Sequence, residues 1–360
     1  MSIIYKEIEY MGNTLESLGL MCVNFDTDTD IPLGLQRTIQ KGEVNRYRVK
    51  SNHIYTLYDD TLEFQIDVIK DICDTCNDQL KMKFTKSEIR EITRKLSATT
   101  IPQLLKTVGD DNEVLYYCGI FTNIESFVVA GDVYGFTLTF TNDSPFAYSE
   151  PITTSTKLNG LSSFVVTNNS DLLDDYIYPV LHISPKSNTD FFMINLSDSK
   201  ILDSGKITIA SNSNTTLNNF LNVIESFARN NRYAVEYYYD EDGYTKTWAN
   251  NTALRIKLIE SDNTEHYCFA YYEPDGKYKI VECGFITLKL YSDLDIEINC
   301  EILTMRDSIG RMVHFKNIGI DEEDYIYWLR LINGENNLLF YGVDCGITIE
   351  YREMLKVGAA

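Results

Sequence analysis

The sequence predicts a mainly β protein, and three observations carry that expectation: apolar and polar residues alternate with a period of two, aromatic residues are abundant while prolines are few, and only two stretches show helical periodicity. The alternation is clearest at Leu62, Phe64, Ile66 and Val68, with Glu63, Gln65 and Asp67 between them, as in a strand with one face in a core and one in water. It recurs at Phe136, Leu138 and Phe140, at Leu294, Ile296 and Ile298, and at Ile347, Ile349 and Tyr351. The 25 Tyr and 17 Phe suit a pleated surface, and 7 Pro leave the strands largely uninterrupted.

The first helix is announced by Thr85-Lys86-Ser87-Glu88, a capping-box pattern, with Ile89, Ile92 and Leu96 on one face, which places it over residues 87–97. The second follows Asn214-Thr215, carries the stripe Leu217, Phe220, Leu221, Ile224 and Phe227, and ends near Asn230. Asp242-Gly243, Asp275-Gly276 and Asn333-Gly334 accept the positive φ of tight turns and are read as links between antiparallel strands. After Tyr148 the texture changes: residues 149–169 are rich in Ser, Thr, Asn and Gly, as at a crossing between domains.

A chain of 360 residues exceeds the size at which single cores stop growing and favours two domains. The net charge of −21 and pI near 4.6 set up a field that repels phosphate backbones and anionic membranes, so specific nucleic-acid binding and membrane binding are not expected. No basic start leads into an apolar stretch and no apolar run is long enough to span a bilayer, so the chain is expected to be made and kept in the cytoplasm of whatever cell makes it. The 8 Cys are too dilute for a disulfide framework and are expected to be reduced thiols.

Motifs of catalysis are missing: there is no phosphate-binding glycine loop, no nucleophile elbow and no zinc-protease helix. The 4 His (His53, His182, His266, His314) lie far apart, so no enzyme, metal or cofactor is expected. Cys73 and Cys76 form a C-x-x-C without a second pair and read as free thiols. Asp26, Asp28 and Asp30, and the run Asp321-Glu322-Glu323-Asp324, match no calcium loop and read as solvated turns or strand faces. Trp328 reads as a core residue. The segment from Tyr233 to Tyr272 is dense in aromatic side chains that either fill a small β core or line a contact face; Tyr237, Tyr239, Tyr244, Trp248, Tyr271 and Tyr272 are its candidate contact residues, for a sugar or a partner protein.

Three collinear segments carry a family resemblance. Gly131 to Tyr148 runs a strand into Asp143-Ser144-Pro145-Phe146-Ala147-Tyr148, Phe84 to Leu96 holds the first helix, and Trp328-Leu329-Arg330-Leu331-Ile332-Asn333-Gly334-Glu335-Asn336 leads to a final strand at residues 347–352. Together they resemble the distal tail proteins of long-tailed phages, with Asp143, Pro145, Phe146, Tyr148, Trp328, Gly334 and Asn336 as the structural residues of the shared motifs.

The resemblance implies an N-terminal β-sandwich belt domain with a short helix over residues 1–152 and a galectin-like C-terminal β-sandwich over 153–211 and 284–360. Residues 212–283 depart from the family pattern and read as an inserted small α/β module, with strands at 233–239, 253–259 and 267–272, removable without loss of assembly. The implied function is structural: a homohexameric hub ring at the distal end of the virion tail, joining the tail tube protein to the tail tip, lysin or receptor-binding proteins and letting DNA pass. The competing reading is a carbohydrate-binding adhesin that contacts the host cell wall.

Overall fold

The computed structural model describes residues 5–25, 37–41, 54–58, 62–71, 81–109, 111–173, 175–207, 213–240, 242–273, 275–292, 294–320 and 326–356. The chain forms two units, Met1–Glu150 with Glu353–Ala360, and Pro151–Arg352. The mainly β expectation is borne out in both.

The first unit runs β1 (Glu7–Tyr10), β2 (Asn13–Thr14), α1 (Leu15–Leu18), β3 (Leu20–Val23), β4 (Arg37–Lys41), β5 (Ile54–Tyr58), β6 (Glu63–Lys70), α2 (Lys86–Leu96), β7 (Gln103–Val108), β8 (Val114–Val129), β9 (Asp132–Asn142) and β10 (Ala147–Tyr148). Its main sheet has the order β2-β1-β7-β8-β9-β6-β3, and Met354–Leu355 returns to pair with β10. The sheet curls: the Tyr5 ring before β1 lies 6.3 Å from Phe64 of β6, although three strands separate β1 from β6 in the sheet order. Phe140 sits at the centre of this core, 5.1 Å from Phe121, 5.5 Å from Phe64 and 6.0 Å from Tyr10.

Alternation in β6 and β9 falls as the sequence predicts, with Ile66, Val68, Phe136, Leu138 and Phe140 buried. Asp67 is the exception on the outward row, at 4% exposure. Its carboxylate accepts the Thr137 hydroxyl at 2.6 Å and the Phe25 N–H at 3.1 Å, so its burial is compensated by charge-assisted hydrogen bonds. The capping box of α2 is present as read: Glu88 N–H donates to Thr85 Oγ1, and Thr85 N–H donates to Glu88 Oε2. The one-turn α1, capped by Thr14 and ended by Gly19 in the left-handed region, has no sequence counterpart above because one turn is too short for a periodicity.

The second unit continues with β11 (Ile152–Asn168), β12 (Val180–Pro185), β13 (Thr189–Asn195), β14 (Lys200–Lys206), α3 (Ser213–Asn231), β15 (Ala234–Tyr237), β16 (Thr247–Trp248), β17 (Ala253–Ile259), β18 (Glu265–Tyr272), β19 (Lys277–Glu282), β20 (Phe285–Leu290), β21 (Ile296–Asn299), β22 (Thr304–Asp307) and β23 (Gly334–Tyr351). The polar stretch read as a domain crossing is β11, a strand paired with β23 over its whole length. Its Ser and Thr populate a solvent-facing row, and Thr is a good strand former.

β23 belongs to both layers of a sandwich. Its first half pairs with β13 and its second with β12, giving the order β20-β13-β23-β12-β21-β22. Between the halves, Leu158 faces Cys345 and Asn159 faces Val343, so Asp344 is an extra residue, with φ of 49°. One added residue reverses the side-chain parity. The core therefore takes Leu338 and Phe340 before the bulge and Cys345, Ile347, Ile349 and Tyr351 after it.

A second sheet, β14-β19-β18-β17-β15 with β16 beside β17, packs on this sandwich. Its strand β14 pairs with β19, so the sheet begins at Lys200, upstream of residue 212. One face receives α3: Phe220, Ile224 and Ala228 meet Leu254, Ile256, Leu258, Cys268, Ala270 and Ile280. The other face presses Trp248, Ala253, Phe269, Tyr271 and Val281 onto Phe192, Ile194, Phe285 and Leu339 of the sandwich. Asp242-Gly243 and Asp275-Gly276 do turn between antiparallel segments of this sheet.

Candidate functional site

The acidic motif at 143–148 is a turn held from within. Buried Asn142 donates through Nδ2 to the carbonyls of Ser144 and Phe146, both at 2.7 Å, and the Asp143 N–H donates to the Cys118 carbonyl at 2.7 Å. This buries Phe146 and Ala147 and sets Tyr148 opposite Tyr116 and Met354. Asp143 contributes its backbone and leaves its residue exposed, and Pro145 is half-buried. Asn142 is the member whose role the motif alone does not reveal.

Asn336 organises the other motif. It is fully buried; Oδ1 accepts from the Ile332 N–H at 2.9 Å and from Asn195 Nδ2 at 2.8 Å, while Nδ2 donates to the carbonyls of Ile332 at 2.8 Å and Gly334 at 3.0 Å. The Asn333-Gly334 dipeptide, read as a hairpin link, is instead a turn closed by this side chain ahead of β23, with Gly334 at φ +89°. Trp328 packs against the sandwich core. Its neighbours Tyr327 and Arg330 both donate to Asp198, at 2.6 Å and 2.5 Å, and the guanidinium lies 3.9 Å from the centre of the Tyr176 ring. Burial, reinforced by the Asp198 carboxylate, pushes the Tyr327 phenol well above its usual range. Gly284, where β19 passes into β20, lies against the same ring: a Cβ there would fall 1.7 Å from Tyr327.

The aromatic cluster divides. Tyr239 and Tyr244 are exposed, at 58% and 73%, on the turn where Asp240 Oδ1 accepts the Tyr244 N–H at 2.8 Å. Tyr237 and Tyr272 are half-buried. Trp248 and Tyr271, proposed from sequence as contacts, are 3% and 1% exposed and fill the layer between the sheets, where no ligand reaches them. Their burial follows from a sheet covered on both faces, which removes the distinction between inward and outward rows.

The fold also assembles a histidine site that spacing could not show. His266 Nδ1 lies 2.7 Å from Glu282 and Nε2 2.9 Å from Glu260, with the Tyr233 ring edge-on at 5.7 Å. The hydrogen bond to Glu282, with that to Glu260, raises its pKa above the ordinary 6.5. A raised folded-state value means that this clamp contributes fully below about pH 6.5 and is lost as the pH rises through the higher folded value. His266→Gln is therefore expected to lower the melting temperature clearly at about pH 5.5 and little at about pH 9; equal losses at both would show that the clamp is not charged.

Among the described residues no group of three or more His, Cys, Asp or Glu forms a metal site, and no helix is long and apolar enough to cross a membrane. Cys73, Cys76, Asp26, Asp28, Asp30, His53 and the run at 321–324 lie outside the described residues.

Two family models match in succession: one described as phage tail protein N-terminal domain over residues 4–144, and one described as phage tail C-terminal domain over residues 146–240. The chain belongs to this phage tail protein family. The resemblance to phage tail proteins read from its motifs is thereby borne out. The second match runs through α3 and β15, so the tail family's pattern includes the first part of the segment read as an insertion. No curated protein matches the sequence. Among solved structures, the tail protein is similar to the SPP1 Dit (gp 19.1) protein, described as a paradigm of hub adsorption apparatus in Gram-positive infecting phages, with TM-score 0.47 and 11% identity over 96% of this chain and 98% of that one. It is also similar to chains of the phage P2 baseplate in its activated conformation, with Ca (TM-score 0.32, 8% identity, 92% and 90% covered) and with Sr (TM-score 0.30, 11% identity, 96% and 96% covered).

Proposed function

We propose that this tail protein is the hub of the distal tail: its N-terminal belt assembles six copies into a closed ring on the tail tube, and the galectin-like second unit, with its added sheet and α3, carries the contacts to tip, lysin or receptor-binding proteins. The observation that carries the reading is an incomplete edge in the first unit. β7 covers β8 only from Val114 to Gly119, and beyond it residues 120–129 have, among the described residues, a strand partner on the β9 side alone. This projecting hairpin exposes Phe127, Val128 and Val129. A long apolar strand edge invites pairing with another chain, and a repeated head-to-tail contact makes a ring when its rotation closes.

The charge supports the conduit: a wall sharing the net −21 offers transiting DNA few counterion-releasing contacts. The role is structural, without catalytic residue or cofactor. Native mass spectrometry of the full chain is expected to show closed hexamers, and Val128→Asp with Val129→Asp is expected to yield folded monomers. A strictly monomeric wild type at high concentration would overturn the reading.

A further inference from the structure

We propose that the outer face of the β12-β21-β22 layer is a binding site for the vicinal diol of a saccharide or open-chain polyol, independent of ring assembly and of the tyrosine turn. Strand register sets His182 opposite Glu297 and Glu297 opposite Arg306, while Leu181, Ile183, Ile296, Ile298 and Met305 point the other way into the core. Ser184, Asp295 and Ser308 line the same trough, whose volume is about 410 Å³.

Its rim is fixed before any ligand arrives. Asp307 accepts Arg311 Nε and the Arg311 N–H, both at 2.8 Å, and the Ile309 N–H at 3.1 Å, and Arg306 Nη1 donates to the Gly310 carbonyl at 3.3 Å. That pairing takes Asp307 out of play. His182 stands 3.9 Å from Glu297, and both side chains remain about two-fifths exposed, at 44% and 43%.

The donor and acceptor set selects the ligand. Two carboxylates, Asp295 and Glu297, face the trough and oppose an anion, while the Arg306 guanidinium beside them opposes a simple cation. A neutral ligand carrying adjacent hydroxyls uses both: each carboxylate accepts two O–H groups, and the guanidinium and the serine hydroxyls satisfy the ligand's oxygens. A trough of this size accommodates a sugar residue or two.

The test is saturation-transfer NMR on the full chain with methyl α-mannopyranoside, methyl α-galactopyranoside and ribitol as separate probes, and inorganic phosphate as the anion probe. Millimolar binding of at least one probe diol is expected, a glycoside pointing to a ring sugar and ribitol to a linear polyol. Glu297→Gln and Asp295→Asn should each weaken it about tenfold, the loss of a charge-assisted hydrogen bond, with unfolding temperature unchanged because both residues lie at the surface. Tyr239→Ala with Tyr244→Ala should leave it intact. Silence with all three diols, binding that survives both carboxylate variants, binding lost with the tyrosines, or preference for phosphate would each overturn the assignment.

Discussion

Replacing residues 212–283 with a short Gly/Ser linker is expected to yield insoluble protein, contrary to what their reading as a detachable insertion implies. The segment supplies all but β14 of the second sheet, and that sheet is the cover over Phe192, Ile194, Phe285 and Leu339. Covering a large apolar side chain is worth about 1.5–3 kcal/mol, so uncovering four forfeits on the order of 6–12 kcal/mol. Whole domains are stable by about 5–15 kcal/mol. The Phe192 ring shows how closely the layers mesh: it lies 4.9 Å from Phe269 on one side of the interface and 5.7 Å from Tyr341 within its own sheet. Soluble expression with a cooperative melt would show that the sandwich stands alone and that the interface is dispensable. The same deletion in a chain whose first unit still forms rings would locate the failure in the second unit.

Asn336→Ala is expected to destabilise the second unit by about 3–5 kcal/mol, measured by urea denaturation. The substitution strands the Ile332 N–H and takes a donor from the carbonyls of Ile332 and Gly334 and an acceptor from buried Asn195, although Asn168 Nδ2 still reaches the Ile332 carbonyl at 3.2 Å and Asn195 Nδ2 still reaches the Arg330 carbonyl at 2.9 Å. Asn336→Asp distinguishes shape from hydrogen bonding: it keeps the outline and the two acceptor contacts but turns a carboxylate toward the Ile332 and Gly334 carbonyls. It should destabilise nearly as much at neutral pH and less in acid, where the carboxyl is protonated and can donate. A neutral effect of both would remove Asn336 from the structural residues of the motif.

What the sequence reveals here is whatever is local. The capping box of α2 is four residues long and reads directly from Thr85 and Glu88, and the stripe of α3 reads from Phe220 and Ile224 because one helix face alone is buried. β6 and β9 are legible because their inward rows are apolar and most outward positions are not. Tyr271 and Trp248 mislead because the sheet that carries them is covered by the sandwich on their face while α3 covers β17 and β18 on the other. The Asp198–Arg330 pair joins residues 132 apart, and His266 meets Glu282 on β19 and Glu260 just past β17, so neither leaves a spacing signature. Asn336 is visible as a motif member, but its role is not, since its partners are mostly backbone atoms of a turn with no regular secondary structure.

The bulge at Asp344 has a genetic consequence. In-frame loss of that single codon would bring Val343 and Cys345 into direct succession and slide everything after them by one position relative to β11 and β12. Ile347, Ile349 and Tyr351 would turn outward and Thr348 and Glu350 inward, so one missing triplet would act as several simultaneous core substitutions. A triplet lost from the exposed turn at Ser308–Gly310 would disturb that turn and the trough beside it while leaving every core residue on its own side of the sheet. Natural length variation in relatives of this chain should therefore be excluded from the middle of β23 even where the residues themselves drift.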